Sequence, residues 1–185
     1  MEKNNVNFGK PKVGGAIFIA PLNGTTAPTM PKSAKEELGA MFKNAGYVED
    51  GGIKSTIKKD VDIKYAWGGT AIGANNKKTE VTMQIPLIES RNEDVLKFVF
   101  GDSNVKTDEN GIAVDINGND ETEWMVVIDM ATRGGKLHRI VIPDCIITSL
   151  GDISYKDDDI VKYETTVTAL AYDNNNNYQK EYWEK

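Results

Sequence analysis

The chain has one cysteine and one histidine among its 185 residues, and these two scarcities remove much reactive chemistry. A lone cysteine cannot close an internal disulfide. Cys145 stands in the apolar run Cys145-Ile146-Ile147 and reads as a small buried hydrophobe, a usage that suits a reducing compartment. A Ser-His-Asp or Cys-His mechanism would have to recruit His138, on an expected strand beside Arg139, and nothing local supports that. Zinc held by cysteine and histidine alone is excluded with one of each. No segment approaches the ~20 apolar residues of a membrane-spanning helix. The opening MEKNNVNFGK has no apolar stretch of the kind that directs secretion. The product is therefore expected to stay in the cytosol where it is made, unless it leaves as part of something larger. Positive charge is also short, with 22 Lys and Arg against 28 Asp and Glu and a net charge of −6. Holding DNA by neutralising phosphates needs clustered Lys and Arg, and there is no basic-aromatic stripe. The glycine pairs form neither Gly-x-Gly-x-x-Gly nor a P-loop.

What is present is mostly strand. Hydrophobic residues make up 39% of the chain and charged ones 27%, which supports one packed domain and argues against global disorder. Residues 1–14 are polar, contain Gly and Pro, and read as an extended N-terminal arm; residues 15–185 read as a single domain. Ala16 to Ala20 suits a buried strand, and Asn23 to Ser33 carries Asn-Gly and two prolines and reads as a long loop. Ser33-Ala34-Lys35-Glu36 has capping-box spacing, followed by Leu38, Met41 and Phe42 at helical spacing, so a short helix ending near Gly46 is expected. From Ile53 the period is two. Val61, Ile63, Tyr65 and Trp67 alternate with polar residues up to Gly68-Gly69, as do Val81, Met83, Ile85 and Leu87, so each strand should put one face on a core and one in solvent. Asn92 is an N-cap for a helix with Val95, Leu96, Val99 and Phe100 as its stripe and Gly101 as its stop. Asn110-Gly111 and Asn117-Gly118 bracket a hairpin strand. Glu123 to Ala131, Leu137 to Ile142, Val161 to Tyr172 and Tyr178 to Trp183 complete the strands, with a Pro143-Asp144 break between two of them. Few strands are separated by helices, so the expected class is mainly β: an antiparallel β-sandwich or partly closed barrel with one flanking α-helix.

No constellation for catalysis or metal stands out. Asp115, Asn117, Asn119 and Asp120 only superficially resemble a calcium loop, since Asp120 takes the place of the sharp-turn glycine and Val126 that of the terminal glutamate. Asp157, Asp158 and Asp159 read as a solvated turn between strands. An enzyme would need a carboxylate pair that the sequence does not locate.

Three blocks carry a family resemblance: Val6 to Thr29 with Phe42 to Ile53, Leu87 to Val105, and His138 to Asp173. In order and density they resemble the major tail protein, or tail tube protein, of long non-contractile-tailed bacteriophages. The resemblance implies a structural virion protein rather than an enzyme, with no cofactor and no membrane insertion. It implies homohexameric rings stacked into a tube whose inner β-barrel passes the genome, assembled in the host bacterial cytoplasm. The implied partners are further copies of the chain, a tape-measure protein and tail terminator or baseplate proteins. About four strands from each of six subunits, at ~4.8 Å spacing and ~40° tilt, give a barrel roughly 45–50 Å across. On this reading Asp60, Asp62, Glu80 and Glu164 are candidates to face the lumen and repel phosphate. Phe8, Pro11, Asn23, Pro28 and Pro31, in the arm and the long loop, are candidates for contacts between subunits. Two other readings stand beside it: a monomeric β-sandwich binding module for carbohydrate or a virion or cell-surface partner, and a tube subunit of a contractile tail or phage-derived injection particle.

Overall fold

The computed structural model describes residues 6–7, 9–24, 26–118, 121–132 and 134–185. In chain order its strands are β1 (Lys10–Pro11), β2 (Ile17–Pro21), β3 (Lys43–Asn44), β4 (Lys54–Tyr65) and β5 (Ala71–Leu87). Helix α1 (Glu93–Phe100) follows, then β6 (Val105–Asp108), β7 (Gly111–Val114), β8 (Trp124–Ala131), β9 (Leu137–Leu150), β10 (Tyr163–Ala169) and β11 (Lys180–Trp183). Among the described residues, nine strands form one antiparallel sheet in the order β3-β2-β8-β9-β10-β5-β4, with β1 added on β8 and β11 on β9. The sheet curls without closing into a barrel. Only a few residues past β3, Val48 bridges to Leu87 on β5, so the two flanks of the sheet approach each other there. Mainly β, antiparallel and flanked by one helix, this is the expected class.

The apolar periods explain which face each strand buries. Tyr163, Thr165, Val167 and Ala169 of β10 are buried and alternate with half-buried neighbours. Val81, Met83, Ile85 and Leu87 do the same on β5, except that Pro86 between the last two is also buried. Both sets meet α1, whose Val95, Leu96, Phe98 and Val99 complete the main core. Phe98 stands edge-on to Trp124, with ring centroids 5.2 Å apart. The helix begins as its sequence dictates: Asn92 Oδ1 accepts from Asp94 N at 3.0 Å, and Gly101, at φ 96°, donates its N–H to Lys97 O. Strand β8 is buried on both faces, which is why Trp124 to Ile128 reads as a continuous apolar run. Val126 and Ile128 face the helix, while Met125 and Val127 join Ala20, Phe42 and Val141 in a second cluster beneath Leu22, Met30 and Leu38.

That second cluster is roofed by residues 22–42, where a helix from Ser33 was expected and none forms. The cap itself does form: Glu36 N donates to Ser33 Oγ at 3.2 Å, and Lys32 N donates to Glu36 Oε2 at 2.6 Å. Propagation fails because Arg139 Nη1 donates to Ser33 O at 3.1 Å and Glu36 O at 2.7 Å. A helix would offer those carbonyls to the N–H groups four residues on. Gly46 is a turn residue at φ 74° whose Cβ position is filled by the Glu89 carboxylate, which accepts from Tyr47 N at 3.0 Å. Arg139 is 2% exposed and also grips Asp129, 3% exposed, through Nε (2.6 Å) and Nη2 (2.8 Å).

Two smaller expectations also shift. Pro143-Asp144 does not break the strand. β9 runs through it, and the register against β8 slips there, so the proline's missing N–H falls at an irregularity. The β6–β7 turn is centred one residue earlier than expected, on Glu109 and Asn110, because Asp108 Oδ1 accepts from both Asn110 N and Gly111 N. His138 is buried, stacked on Trp183 at 3.4 Å with Nε2 3.0 Å from Glu181 Oε2. Cys145 is buried with Sγ 3.2 Å from Trp124 O, and burial pushes its thiol up, away from reactivity.

Asp144 Oδ1 is buried without a hydrogen-bond partner among the described residues. Burial first, and the Glu123 charge second, raise its carboxyl above the ordinary 3.8. A carboxyl raised on folding is penalised when ionised, so this cost is full above the folded pKa and gone below the unfolded one. Asp144→Asn is therefore expected to stabilise the protein at neutral pH by at most about 1 kcal/mol. The gain should fade as pH falls toward the ordinary carboxyl value; urea unfolding at neutral pH and at pH 3 measures both.

Candidate assembly surfaces

The long hairpin β4–β5 is the least self-contained part of the molecule. β4 has 12 residues and β5 has 17, and they pair from Lys54↔Gln84 to Tyr65↔Ala71. The neighbouring strand β10 supports β5 only from Leu87 to Thr82. Residues 71–80 therefore extend past the body, a projection of about 35 Å at the rise of an antiparallel strand. The tip is a tight turn: Gly69 N donates to Ala66 O and Ala66 N to Thr70 O, with Gly68 and Gly69 at φ 99° and 86°.

Alternation along this hairpin produces two faces, as expected, but in its extended part neither lies on a core. Val61, Ile63, Tyr65 and Trp67 are 44%, 45%, 60% and 106% exposed. The reason is geometric. Their face continues the core-facing side of Val81 and Met83 beyond the point where the helix and β10 end. In sequence these residues look like any half-buried strand, so only their distance from the rest of the fold exposes them.

The opposite face carries all four acidic candidates. Asp60 and Asp62 alternate along β4, Glu80 lies directly opposite Lys58, and Glu164 lies opposite Pro86, three same-face steps further along β5. The register thus brings these four residues to one face of the sheet. It also brings lysines among them. Asp62 pairs with Lys64 at 2.7 Å and Lys77 at 3.4 Å, Glu80 with Lys78 at 2.6 Å, and Glu164 with Lys162 at 2.9 Å. The Lys78 hydrogen bond, then its charge, holds the Glu80 carboxyl below its usual range. Hydrogen bonds to Glu49 and then Glu164 hold Lys162 protonated well above its usual range. A trough of 470 Å³ on the hairpin is lined by Lys58, Lys59, Asp60, Lys78 and Glu80. Three of these ion pairs join residues two apart on one strand and follow from the order of residues, whereas the Lys77–Asp62 pair, and the gathering of all four acids on one face, are made by the pairing register.

The arm and long loop are tied down more than expected. Phe8 lies outside the described residues, as do Asn119 and Asp120 of the calcium-like run. Pro11 is exposed but lies in β1, opposite Met130, and Lys12 N donates to Asp129 O at 3.1 Å. Asn23 is exposed, its Nδ2 3.5 Å from Thr122 Oγ1, whereas Pro28 and Pro31 are buried in their own subunit. Asp157 to Asp159 form an exposed bend. Among the described residues, no three His, Cys, Asp or Glu side chains gather where they could hold a metal ion.

No protein with a curated description matches the chain. Among solved structures it is similar to the cryo-EM cap of the anti-feeding prophage, a tube-terminating cap, at 9% identity and TM-score 0.45 over 97% of this chain and 96% of that one. It is also similar to a chain of an extracellular contractile injection system, the PVC sheath-tube complex in its extended state, at 11% identity and TM-score 0.47 over 100% and 99% of the two chains. The family described as phage tail tube protein matches residues 3–182, from the N-terminal arm into β11. A match across all but the ends of a mainly antiparallel domain places the protein: it belongs to the phage tail tube protein family, structural components of phage tails.

Proposed function

We propose that six copies of this chain close into a ring, that rings stack into the tail tube, and that DNA passes through the lumen during ejection. The observation that carries the reading is the hairpin. Beyond β10 it has unpaired backbone on both flanks and an apolar face with no partner in its own subunit. Such an edge is a hazard in a monomer and a joint in an assembly. Neighbouring hairpins side by side satisfy both flanks. The lumen is lined by the polar face with Asp60, Asp62, Glu80 and Glu164. Because lysines neutralise those carboxylates, DNA meets alternating charges with no strong field of either sign, and it slides without being held. The exposed parts of the arm and of the 22–42 loop contact adjacent subunits, and the two ends of the tube meet a terminator and a baseplate, with a tape-measure protein inside.

Negative-stain microscopy of the purified, concentrated protein tests the reading. Hollow tubes or stacked rings with sixfold averages are expected; a strictly monomeric chain would favour a binding module instead. The lumen assignment has its own test. Asp62→Lys with Glu80→Lys is expected to leave tubes intact, slow genome ejection from assembled particles, and make the slowing salt-sensitive. Ejection at the normal rate would remove this face from the lumen.

A further inference from the structure

Three Asn-Gly steps stand in this chain, at 23–24, 110–111 and 117–118. Such a step reacts with itself. The glycine nitrogen gives up its proton and bonds to the asparagine Cγ, the Cγ–Nδ2 bond breaks, and the amide leaves as ammonia with that proton. Water then adds across one of the two imide bonds of the five-membered succinimide, which gives aspartate or isoaspartate. A glycine has no Cβ to hinder the approach, and asparagine is one of the thermally labile residues. Two freedoms are needed: a glycine N–H that no acceptor holds, and an asparagine side chain able to turn toward it.

All three asparagines are exposed, so exposure does not rank them. Hydrogen bonding does. Gly111 N donates to Asp108 Oδ1 at 3.2 Å, and Gly111 pairs with Asp108 at the start of β7. The Asn117 amide is clasped by that of Asn104, with Asn117 Nδ2 donating to Asn104 Oδ1 at 2.8 Å and Asn104 Nδ2 to Asn117 Oδ1 at 3.4 Å, and Asn104 is buried. Asn23 has neither restraint. Its Nδ2 lies 3.5 Å from Thr122 Oγ1, at the outer limit of a hydrogen bond. Among the described residues, nothing accepts the Gly24 N–H. The step lies in a bend just past β2, and Leu22 N, donating to Glu123 O at 2.8 Å, is the last backbone tie before it.

We infer that Asn23 is a self-modification site, converted to aspartate and isoaspartate without an enzyme and with water as the only co-reactant, while Asn110 and Asn117 are spared. Each event turns a neutral side chain into a carboxylate and makes the chain one unit more negative than −6. The isoaspartyl product also adds a carbon to the backbone where the roof of the second cluster begins. The tube reading places exposed parts of this loop against the adjacent subunit, but the chemistry does not depend on that reading.

Peptide mapping with fragmentation, on purified protein held in mildly alkaline buffer, tests it. Asn23 is expected to show the mass change of an amide-to-acid exchange about tenfold faster than Asn110 or Asn117, because a held amide must first give up a hydrogen bond. One pH unit lower, the rate should fall about tenfold with the fraction of deprotonated amide nitrogen. In denaturing urea the restraints are gone, and the three rates should converge. Gly24→Ala is expected to suppress the conversion by crowding the attacking nitrogen. It should leave the fold intact, since the Gly24 φ lies outside the left-handed region and a Cβ there meets nothing nearer than Thr26 O at 3.6 Å. Equal rates at the three sites in the folded protein, or faster conversion at Asn110 or Asn117, overturn the inference. So does a ranking that survives in urea, which would come from the flanking sequence, and so does a conversion at Asn23 that Gly24→Ala leaves unchanged.

Discussion

Excising Lys58–Glu80 and joining Ile57 to Val81 through Asn-Gly will yield a folded, monomeric protein that forms no tubes. Ile57 and Val81 are directly paired across the hairpin, so a two-residue turn can span them. No residue between Lys58 and Glu80 is buried, and the core side of β5 begins at Val81. The cut therefore removes almost no core packing, and the connection becomes shorter. The unfolding free energy of the subunit should stay within about 1 kcal/mol of the parent. Assembly should fail completely, because the excised residues supply both unpaired flanks and the apolar face of the extended hairpin. Sedimentation and urea unfolding on the same sample separate the two effects. Tubes of normal length from the shortened chain would show that the contacts between subunits lie elsewhere.

The second large effect is expected at Arg139. Removing its side chain leaves the Asp129 carboxylate buried without its main partner, with only Lys12 at 3.5 Å nearby. It also frees the carbonyls of Ser33 and Glu36. Breaking a buried pair from one side costs about 3–5 kcal/mol, so Arg139→Ala should lower the urea midpoint sharply. Arg139→Lys should recover little, since an ammonium cannot fork to both Asp129 oxygens while reaching two carbonyls. Replacing both partners, Arg139→Met with Asp129→Leu, should cost less than the single change because no charge is stranded. All three variants lack the guanidinium and should become sensitive to proteases between residues 22 and 42, where its hydrogen bonds hold the roof of the second cluster. An unchanged cleavage pattern would mean that Leu22, Met30 and Leu38 hold the loop by packing alone.

How far the sequence could be read depended on the range of the interaction involved. Helix α1 was legible to the residue, because its cap, apolar stripe and terminal glycine act within one or two turns. The Ser33 helix carried the same kind of signal and failed, because a side chain more than a hundred residues away claims its carbonyls. Alternation, which is local, set each acidic candidate on the polar side of its own strand, with a lysine two residues from Asp62, Glu80 and Glu164, but only the register of β4, β5 and β10 showed that all four share one face. The apolar residues of the hairpin were recognised as a strand face and assigned to a core that does not reach them.

The sequence alone determined the β-rich class, the alternation that sorts each strand into two faces, the one capped helix and the lack of reactive side chains. These follow from backbone periodicity and composition, which need no knowledge of what lies across the sheet. The tertiary structure alone decided which faces are covered, which charges share a face, and that residues 71–80 run past β10. Burial and the gathering of charges are set by the neighbours that a long-range register supplies, and in this chain the register leaves one hairpin without them.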